Sequence, residues 1–155
     1  MNAQGMLLHV IDETRTEIII ESEAGKDNAT LKIPEIVKAN NGNVYKITAI
    51  STRSDGNNYL ETMVLDESIK VIYEPSSFRE FTKLQNLYIQ GQDFVKNLSD
   101  YSSSIFYPQH RLLNTITNLY VKTGLNVGTG ITNLFTLQPA TETKDGVEYS
   151  VYVKN

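Results

Sequence analysis

A repeating interval of 24 residues in the middle of the chain constrains the fold more than any other feature. Leu60 and Leu84 are 24 positions apart, and so are Leu65 and Ile89. Between Leu60 and Ile89 the apolar residues follow strand spacing, then two three-residue steps, then strand spacing again. A unit with this pattern cannot bury its apolar edge alone and must stack on a neighbouring unit. The interval therefore predicts a short solenoid with one continuous interior.

The central unit also matches a known repeat consensus. The matching positions are Met63, Leu65, Ile69, Ile72, Phe78 and Leu84. Ser77 stands where the consensus has Ala, Phe81 stands where it has Cys, and one extra residue precedes Phe78. With these residues the chain resembles the BspA-type leucine-rich repeats of bacterial cell-surface proteins, whose unit is about 23 residues long.

A degenerate earlier unit begins at Leu31-Lys32-Ile33-Pro34 and continues through Tyr45 to Ile50. It departs from the consensus at Arg53-Ser54, which replaces Ala-Phe, and at Asn57, which takes the Cys position. The resemblance covers roughly residues 29–123 and implies a leucine-rich-repeat fold.

We expect a single domain, residues 1–155, that is mainly β with short helices. Two to three degenerate repeats form a leucine-rich-repeat solenoid, flanked by N- and C-terminal β-hairpin caps. Residues 1–28 form the N-terminal strand cap, residues 29–123 the repeats, and residues 124–155 the C-terminal hairpin, with strands at Leu134–Leu137 and Val147–Val153. We expect the N-terminal cap to shield the first repeat strand, because the end of a solenoid exposes apolar surface and unpaired strand edges.

Local signals add detail to this outline. Pro34 should end the first repeat strand, because proline cannot donate a ladder hydrogen bond. A hairpin is expected over Val37–Ile50, around the turn-forming residues 40–43. A helical insertion is expected near residues 92–113, with an amphipathic helix over Asp93–Tyr101. Phe78 and Phe81, three residues apart, are expected to share one face of a helical turn and fill the core.

Strand alternation predicts a binding surface. In each repeat strand, the residue between two inward apolar residues must face outward. The outward column is Lys32, Val64, Tyr88 and Tyr120, flanked by Thr30, Thr62, Asn86 and Asn118 on one side and by Asp66, Gln90 and Lys122 on the other. Recognition surfaces are enriched in exposed tyrosine. The alternative is that Tyr88 and Tyr120 are cross-strand partners or are covered by a neighbouring loop. The candidate binding residues are Lys32, Val64, Asn86, Tyr88, Asn118, Tyr120 and Lys122.

Catalytic and cofactor motifs do not stand out, and we expect a non-enzymatic protein without a cofactor or metal. The two histidines, His9 and His110, are distant in sequence and carry no ligand motif, so each is expected to be a surface residue. With no cysteine, disulfides and thiolate chemistry are excluded. The loose glycines Gly124, Gly128 and Gly130 do not fit a phosphate-binding loop. Carboxylates from distant segments could still converge in the fold.

Composition narrows the class of partner. The formal net charge is −4, and the 14 basic residues are scattered, so no nucleic-acid partner is expected. No apolar run reaches the roughly 18 residues of a membrane span, so no membrane insertion is expected. Met1 to Val10 shows no signal peptide, which indicates either an intracellular chain or a leader that was removed. The family resemblance favours the second reading and a place at the cell surface.

The resemblance implies adhesion or interaction at a bacterial surface, with a protein or a glycan as the ligand. One alternative is a structural spacer or capping domain within a larger surface protein or assembly. Another is a carbohydrate-binding or carbohydrate-active accessory domain, against which the absence of tryptophan counts. The sequence leaves the ligand and the oligomeric state open.

Overall fold

The computed structural model of this chain describes residues 6–10, 16–21, 23–52, 57–72, 81–99, 113 and 115–155. Over these residues the fold is mainly β with two short helices, as expected from the sequence. The strands are β1 (Met6–Val10), β2 (Thr16–Ile20), β3 (Thr30–Ile33), β4 (Ile36–Lys38), β5 (Val44–Lys46), β6 (Ala49–Thr52), β7 (Thr62–Leu65), β8 (Val71–Ile72), β9 (Asn86–Ile89), β10 (Asn118–Lys122), β11 (Phe135–Lys144) and β12 (Val147–Lys154). The helices are α1 (Gln92–Ser99) and α2 (Thr129–Thr132).

The largest sheet, called the main sheet below, has six strands in the order β11-β12-β10-β9-β7-β3. Four of them, β3, β7, β9 and β10, are parallel neighbours. The C-terminal hairpin of β11 and β12 adds to β10 in antiparallel orientation. Parallel neighbours require long crossover connections, so the intervals between successive repeat strands set the path of the chain.

A second sheet of four strands has the order β1-β2-β6-β8. In it β2, β6 and β8 are parallel, and β1 pairs with β2 in antiparallel orientation. Thr48 ties β6 to β2, because its hydroxyl donates to the main-chain oxygen of Thr16 at 3.2 Å. From β2 to β9 the chain alternates between the two sheets, with the small hairpin of β4 and β5 inserted after β3.

The core joins the inward faces of the two sheets into one cluster. Met63 pairs with Leu87 and Leu65 pairs with Ile89, and all four side chains are fully buried. Ile18, Ile20 and Ile50 from the second sheet belong to the same cluster. Side chains 24 positions apart therefore lie side by side in one interior, as the repeat interval predicts. Phe81 is buried in this core, whereas Phe78 lies outside the described residues.

Asn57 and Phe81, which occupy the same position of successive units, form an isolated parallel bridge. Asn57 is buried, and its amide nitrogen donates to the main-chain oxygen of Ala24 at 2.8 Å. Its amide oxygen accepts from the main-chain nitrogens of Tyr59 and Leu60, each at 2.9 Å. A buried polar side chain must find such partners, so asparagine at this position holds a turn of the chain in place.

The terminal and inserted elements differ in detail from expectation. The expected N-terminal strands are present as β1 and β2, but they extend the second sheet and leave β3 at the edge of the main sheet. The predicted hairpin is shorter than Val37–Ile50: it covers β4 and β5, because Ala49 and Ile50 pair with β2 instead. β3 ends at Ile33, immediately before Pro34, as predicted.

The helix and the C-terminal hairpin are found near their predicted places. α1 buries Phe94, Val95 and Leu98, and its predicted last residue, Tyr101, lies outside the described residues. Both C-terminal strands are longer than predicted. They turn at Asp145 and Gly146, whose φ angles of 51° and 79° suit a two-residue hairpin loop.

Candidate recognition face of the main sheet

The side of the main sheet opposite the core is called the outer face. In register across the parallel strands, Lys32 pairs with Val64, Val64 with Tyr88, and Tyr88 with Tyr120. The predicted column is therefore present, although its members are 24 or 32 residues apart in the sequence. The outer face contains Thr30, Lys32, Thr62, Val64, Asp66, Asn86, Tyr88, Gln90, Asn118, Tyr120 and Lys122.

The middle of the column does not face solvent. Val64 is 2% exposed and Tyr88 is 6% exposed, so the prediction of a fully solvent-facing column is wrong for both. The residues that cover them come from the C-terminal hairpin, chiefly Tyr149, with Val147 packed beside it. Lys32 is exposed as predicted, and Asn86, Asn118, Tyr120 and Lys122 are half-buried.

The hairpin contacts Tyr88 in three ways. The Tyr149 ring meets the Tyr88 ring edge-on, with centroids 5.0 Å apart and an interplanar angle of 79°. The Tyr88 hydroxyl donates to Glu142 Oε1 at 2.8 Å. Lys144 Nζ lies 5.4 Å from the centroid of the Tyr88 ring, within cation–π range. These contacts fasten the hairpin across the outer face.

The pairing within the C-terminal hairpin is irregular on the β11 side. The pairing of β11 with β12 shifts register between Leu137 and Thr141, where Pro139 lies. A bulge bends its strand and increases the local twist. Beyond it, Glu142 and Tyr149 sit opposite each other and both contact the tyrosines of the repeat strands.

Tyr88 and Tyr120 stack on one another, with ring centroids 4.0 Å apart and an interplanar angle of 5°. Burial raises the pKa of Tyr88, and its hydrogen bond to Glu142 raises it further. Burial also raises the pKa of Tyr120, with the Glu142 charge adding to the effect. Both phenols are therefore protonated at neutral pH and serve as packing groups and hydrogen-bond donors.

A row of polar side chains runs beside the tyrosine column. Asn118 Nδ2 donates to Asn86 Oδ1 at 2.9 Å, and Asn86 Nδ2 donates to Thr62 Oγ1 at 3.2 Å. On the other side of the column, Gln90 Nε2 donates to the Tyr149 hydroxyl at 3.0 Å. These bonds tie three successive repeat strands and the hairpin together, so the amides already have partners within the sheet.

Sequence reasoning missed Glu142, Lys144 and Tyr149 as members of this site. The signal for Tyr149 was its strict alternation with Val151 and Val153, which places it on the outer face of an added strand. For Glu142 and Lys144 the available signal was the same alternation on β11, broken at Pro139. Their contact with Tyr88 also depends on the register shift within the hairpin, which the alternation of residues does not predict.

The described residues hold no group of three or more potential metal ligands. The His9 side chain is 53% exposed, as expected for a surface histidine, and its Nδ1 lies 2.9 Å from Glu17 Oε1 on the neighbouring strand. His110 lies outside the described residues.

No helix within the described part of the chain is long and apolar enough to cross a membrane. Comparisons of the chain with protein families, with curated proteins and with solved structures found no match. The function must therefore be argued from the residues and their geometry.

Proposed function

We propose that this chain is a short leucine-rich-repeat solenoid of the BspA type and acts as a non-enzymatic binding module at a bacterial surface. Its ligand is a protein or a glycan, held at the outer face of the main sheet. The surface location and the class of ligand come from the resemblance, since fold alone does not dictate function.

The observation that carries the proposal is the parallel register of the repeat strands. Met63 and Leu87 are 24 residues apart and lie side by side, and the chain visits the second sheet between successive strands of the main sheet. A chain that alternates in this way winds as a coil, and each turn buries its apolar edge against the next. Turns of this kind present a regular row of outward side chains, which suits recognition.

The accessible part of the outer face lies at its β3 end. Thr30 and Lys32 are exposed, and Thr62 and Asn86 on the next strands are half-buried. The C-terminal hairpin covers much of the tyrosine column. The proposed contact surface is therefore smaller and more polar than a surface centred on exposed Tyr88 and Tyr120. Tyr120 and Lys122 add half-buried positions at the opposite end.

The same covering favours a second candidate, a structural spacer or cap within a larger surface protein or assembly. The Tyr88 ring packs against Tyr149, and its hydroxyl bonds to Glu142. Such contacts within the chain are expected of a face that stabilises the fold rather than one that binds a ligand. A carbohydrate-binding accessory role has less support, because the amides of Asn86 and Asn118 are bonded to each other and the chain lacks tryptophan.

The experiment is a binding screen with matched variants. The folded protein is applied to a glycan array and to a panel of immobilised extracellular-matrix proteins, together with the double variant Thr30→Ala/Lys32→Ala, which changes two exposed side chains of β3. The control is Lys83→Ala, which removes an exposed lysine outside the strands of the main sheet. We expect the double variant to lose binding, the control to keep it, and both to unfold at the wild-type temperature. Equal binding by all three proteins, or binding by none, would contradict the proposal.

A further inference from the structure

β3 is the last strand of the main sheet on the side away from the C-terminal hairpin. Among the described strands, β3 pairs with β7 alone. At both ends of this ladder, β7 bonds to odd-numbered residues in or next to β3. Thr62 N–H donates to the main-chain oxygen of Ala29, and Asp66 N–H donates to the main-chain oxygen of Ile33. In a parallel ladder alternate residues bond to the same neighbour, so the main-chain groups of Thr30 and Lys32 point away from β7.

Two other edges in the fold are protected in ways that β3 is not. β11 carries Pro139 at its bulge, and both features discourage strand pairing. β8 is adjoined by α1, whose Asn97 Nδ2 donates to the main-chain oxygen of Lys70 at 2.8 Å. β3 contains no proline and no bulge. Its edge therefore keeps the geometry that accepts another strand.

An open groove of about 310 Å³ lies beside this edge, between β3 and the preceding turn. Its lining comprises Glu23, Gly25, Lys26, Asp27 and Asn28 from the turn and Thr30 to Lys32 from the strand, so the carboxylates lie on the turn and Lys32 is the charged residue of the strand. Leu31 and Ile33 are already buried, so the apolar interior is closed beneath the groove. Thr30 N–H donates to Asn28 Oδ1 at 3.4 Å, so an added main chain would bond chiefly to Lys32.

Charge indicates what such a partner carries. Lys32 is exposed and makes no ion pair among the described residues, whereas Lys26 lies 4.0 Å from Glu23 and Lys46 lies 3.5 Å from Glu35. The residue opposite Lys32 on β7 is the apolar Val64. An opposite charge directly across from a strand residue is stabilising, so a carboxylate on an added strand would complement Lys32.

We infer that the free edge of β3 binds an extended acidic polypeptide segment, which joins the main sheet through main-chain hydrogen bonds and places a carboxylate beside Lys32. This mode is β-strand addition, in which the main chain provides affinity and alternate side chains provide specificity. The inference rests on the ladder geometry and not on the proposed surface function. The competing role for Lys32 is to keep the edge from pairing at all, since edge strands often carry lysine for that purpose.

The test uses two synthetic peptides and the 155-residue chain. Both peptides copy residues 61–66, the segment containing β7, which already pairs with β3; one carries Val64→Glu and the other Val64→Lys, with blocked termini. Binding is followed by amide chemical shifts of the labelled protein. We expect the Glu peptide to shift the Thr30 and Lys32 amides and to bind about threefold to fivefold tighter than the Lys peptide, and the gap to narrow in high salt.

Two variants make the result specific. Lys32→Glu should reverse the preference between the peptides. Lys32→Pro removes the outward N–H while sparing the bonds to β7, and should abolish binding of both peptides. Amide hydrogen exchange tests the same point in the wild-type protein. The Lys32 amide should exchange quickly in the absence of peptide and slowly when the Glu peptide is bound. Shifts confined to other strands, equal binding of both peptides, or unchanged exchange at Lys32 would overturn the inference.

Discussion

The β3 end of the main sheet and the part beneath the C-terminal hairpin, called the covered end below, place equivalent side chains in opposite environments. At the β3 end, Lys32 is exposed and β3 has one neighbour among the described strands. Further along, Tyr88 occupies the same column but is buried beneath Tyr149 and bonded to Glu142. Strand alternation and the parallel register place both residues on the outer face, and the C-terminal hairpin covers Tyr88 but not Lys32. Register and exposure are therefore set by different parts of the chain.

The largest expected effect comes from breaking the covered end. The double substitution Tyr88→Ala/Tyr120→Ala removes a stacked pair and the contact with Tyr149, and should lower the free energy of unfolding by about 4 kcal/mol. Lys32→Ala, in the same column, should change it by less than about 0.5 kcal/mol. Denaturant unfolding measures both values. If the tyrosine variant were as stable as the wild type, the hairpin would not cover this face.

Asn57→Ala should have the next largest effect, because Asn57 is buried and its amide bonds to the main chain. The substitution deprives the main-chain groups of Ala24, Tyr59 and Leu60 of their bonds to a buried amide. We expect a loss of about 2–3 kcal/mol in the free energy of unfolding, measured with urea. The control is Asn58→Ala at the exposed neighbouring position, which should cost much less. Equal losses for the two variants would show that the buried amide is not the cause.

Alkaline pH should weaken the covered end selectively. Burial raises the pKa of Tyr88, Tyr120 and Tyr149 in the folded chain, whereas their pKa in the unfolded chain is about 10. The stability they contribute is present below pH of about 10 and falls as the pH rises further, by up to about 1.4 kcal/mol per pH unit for each tyrosine. Urea unfolding at a series of pH values measures the slope, which should become shallower in Tyr88→Phe.

The exposed Tyr45 provides the internal contrast for that titration. Hydrogen bonds from the side chains of Asn43 and Asn41 lower its pKa, so it should ionise before the covered tyrosines. Ultraviolet absorbance should therefore rise in stages as the pH increases, and Tyr45→Phe should remove part of the earliest stage. Ionisation of Tyr88 ahead of Tyr45 would contradict the covered arrangement.

The smallest effect is expected at the tip of the hairpin. Gly146 has a φ of 79°, and a Cβ at this position meets no atom within 4 Å, so Gly146→Ala introduces backbone strain without a clash. We expect a loss of about 1 kcal/mol in thermal or urea unfolding. Gly146→Asn should cost less, since asparagine tolerates this conformation. A variant with alanine that is as stable as the wild type would show that the turn is not under this constraint.

The sequence predicts register better than it predicts exposure, for a physical reason. Inward residues such as Leu65 and Ile89 alternate at period two and recur after 24 positions, and a slip of one residue would turn each apolar set toward solvent. The pairing of the main sheet follows from that constraint. The second sheet is less visible, because β8 spans only Val71–Ile72 and β6 follows an inserted hairpin.

The covered state of Tyr88 depends on contacts over a long sequence separation. Its hydrogen bond to Glu142 spans 54 positions, and the pairing of β11 with β12 shifts register beside Pro139. The alternation of apolar and polar residues places both tyrosines on the outer face, but it does not predict whether another part of the chain covers that face. For this reason the sequence left exposed recognition and internal packing as alternatives for Tyr88 and Tyr120.

The register of the outward column is tested most directly by nuclear Overhauser contacts between main-chain protons of adjacent strands. The fold described above predicts contacts that align Lys32 with Val64, Val64 with Tyr88, and Tyr88 with Tyr120 in one parallel ladder. Contacts displaced by one residue, antiparallel, or joining these strands in a different order would contradict the stacking of repeats on which the proposed binding face depends.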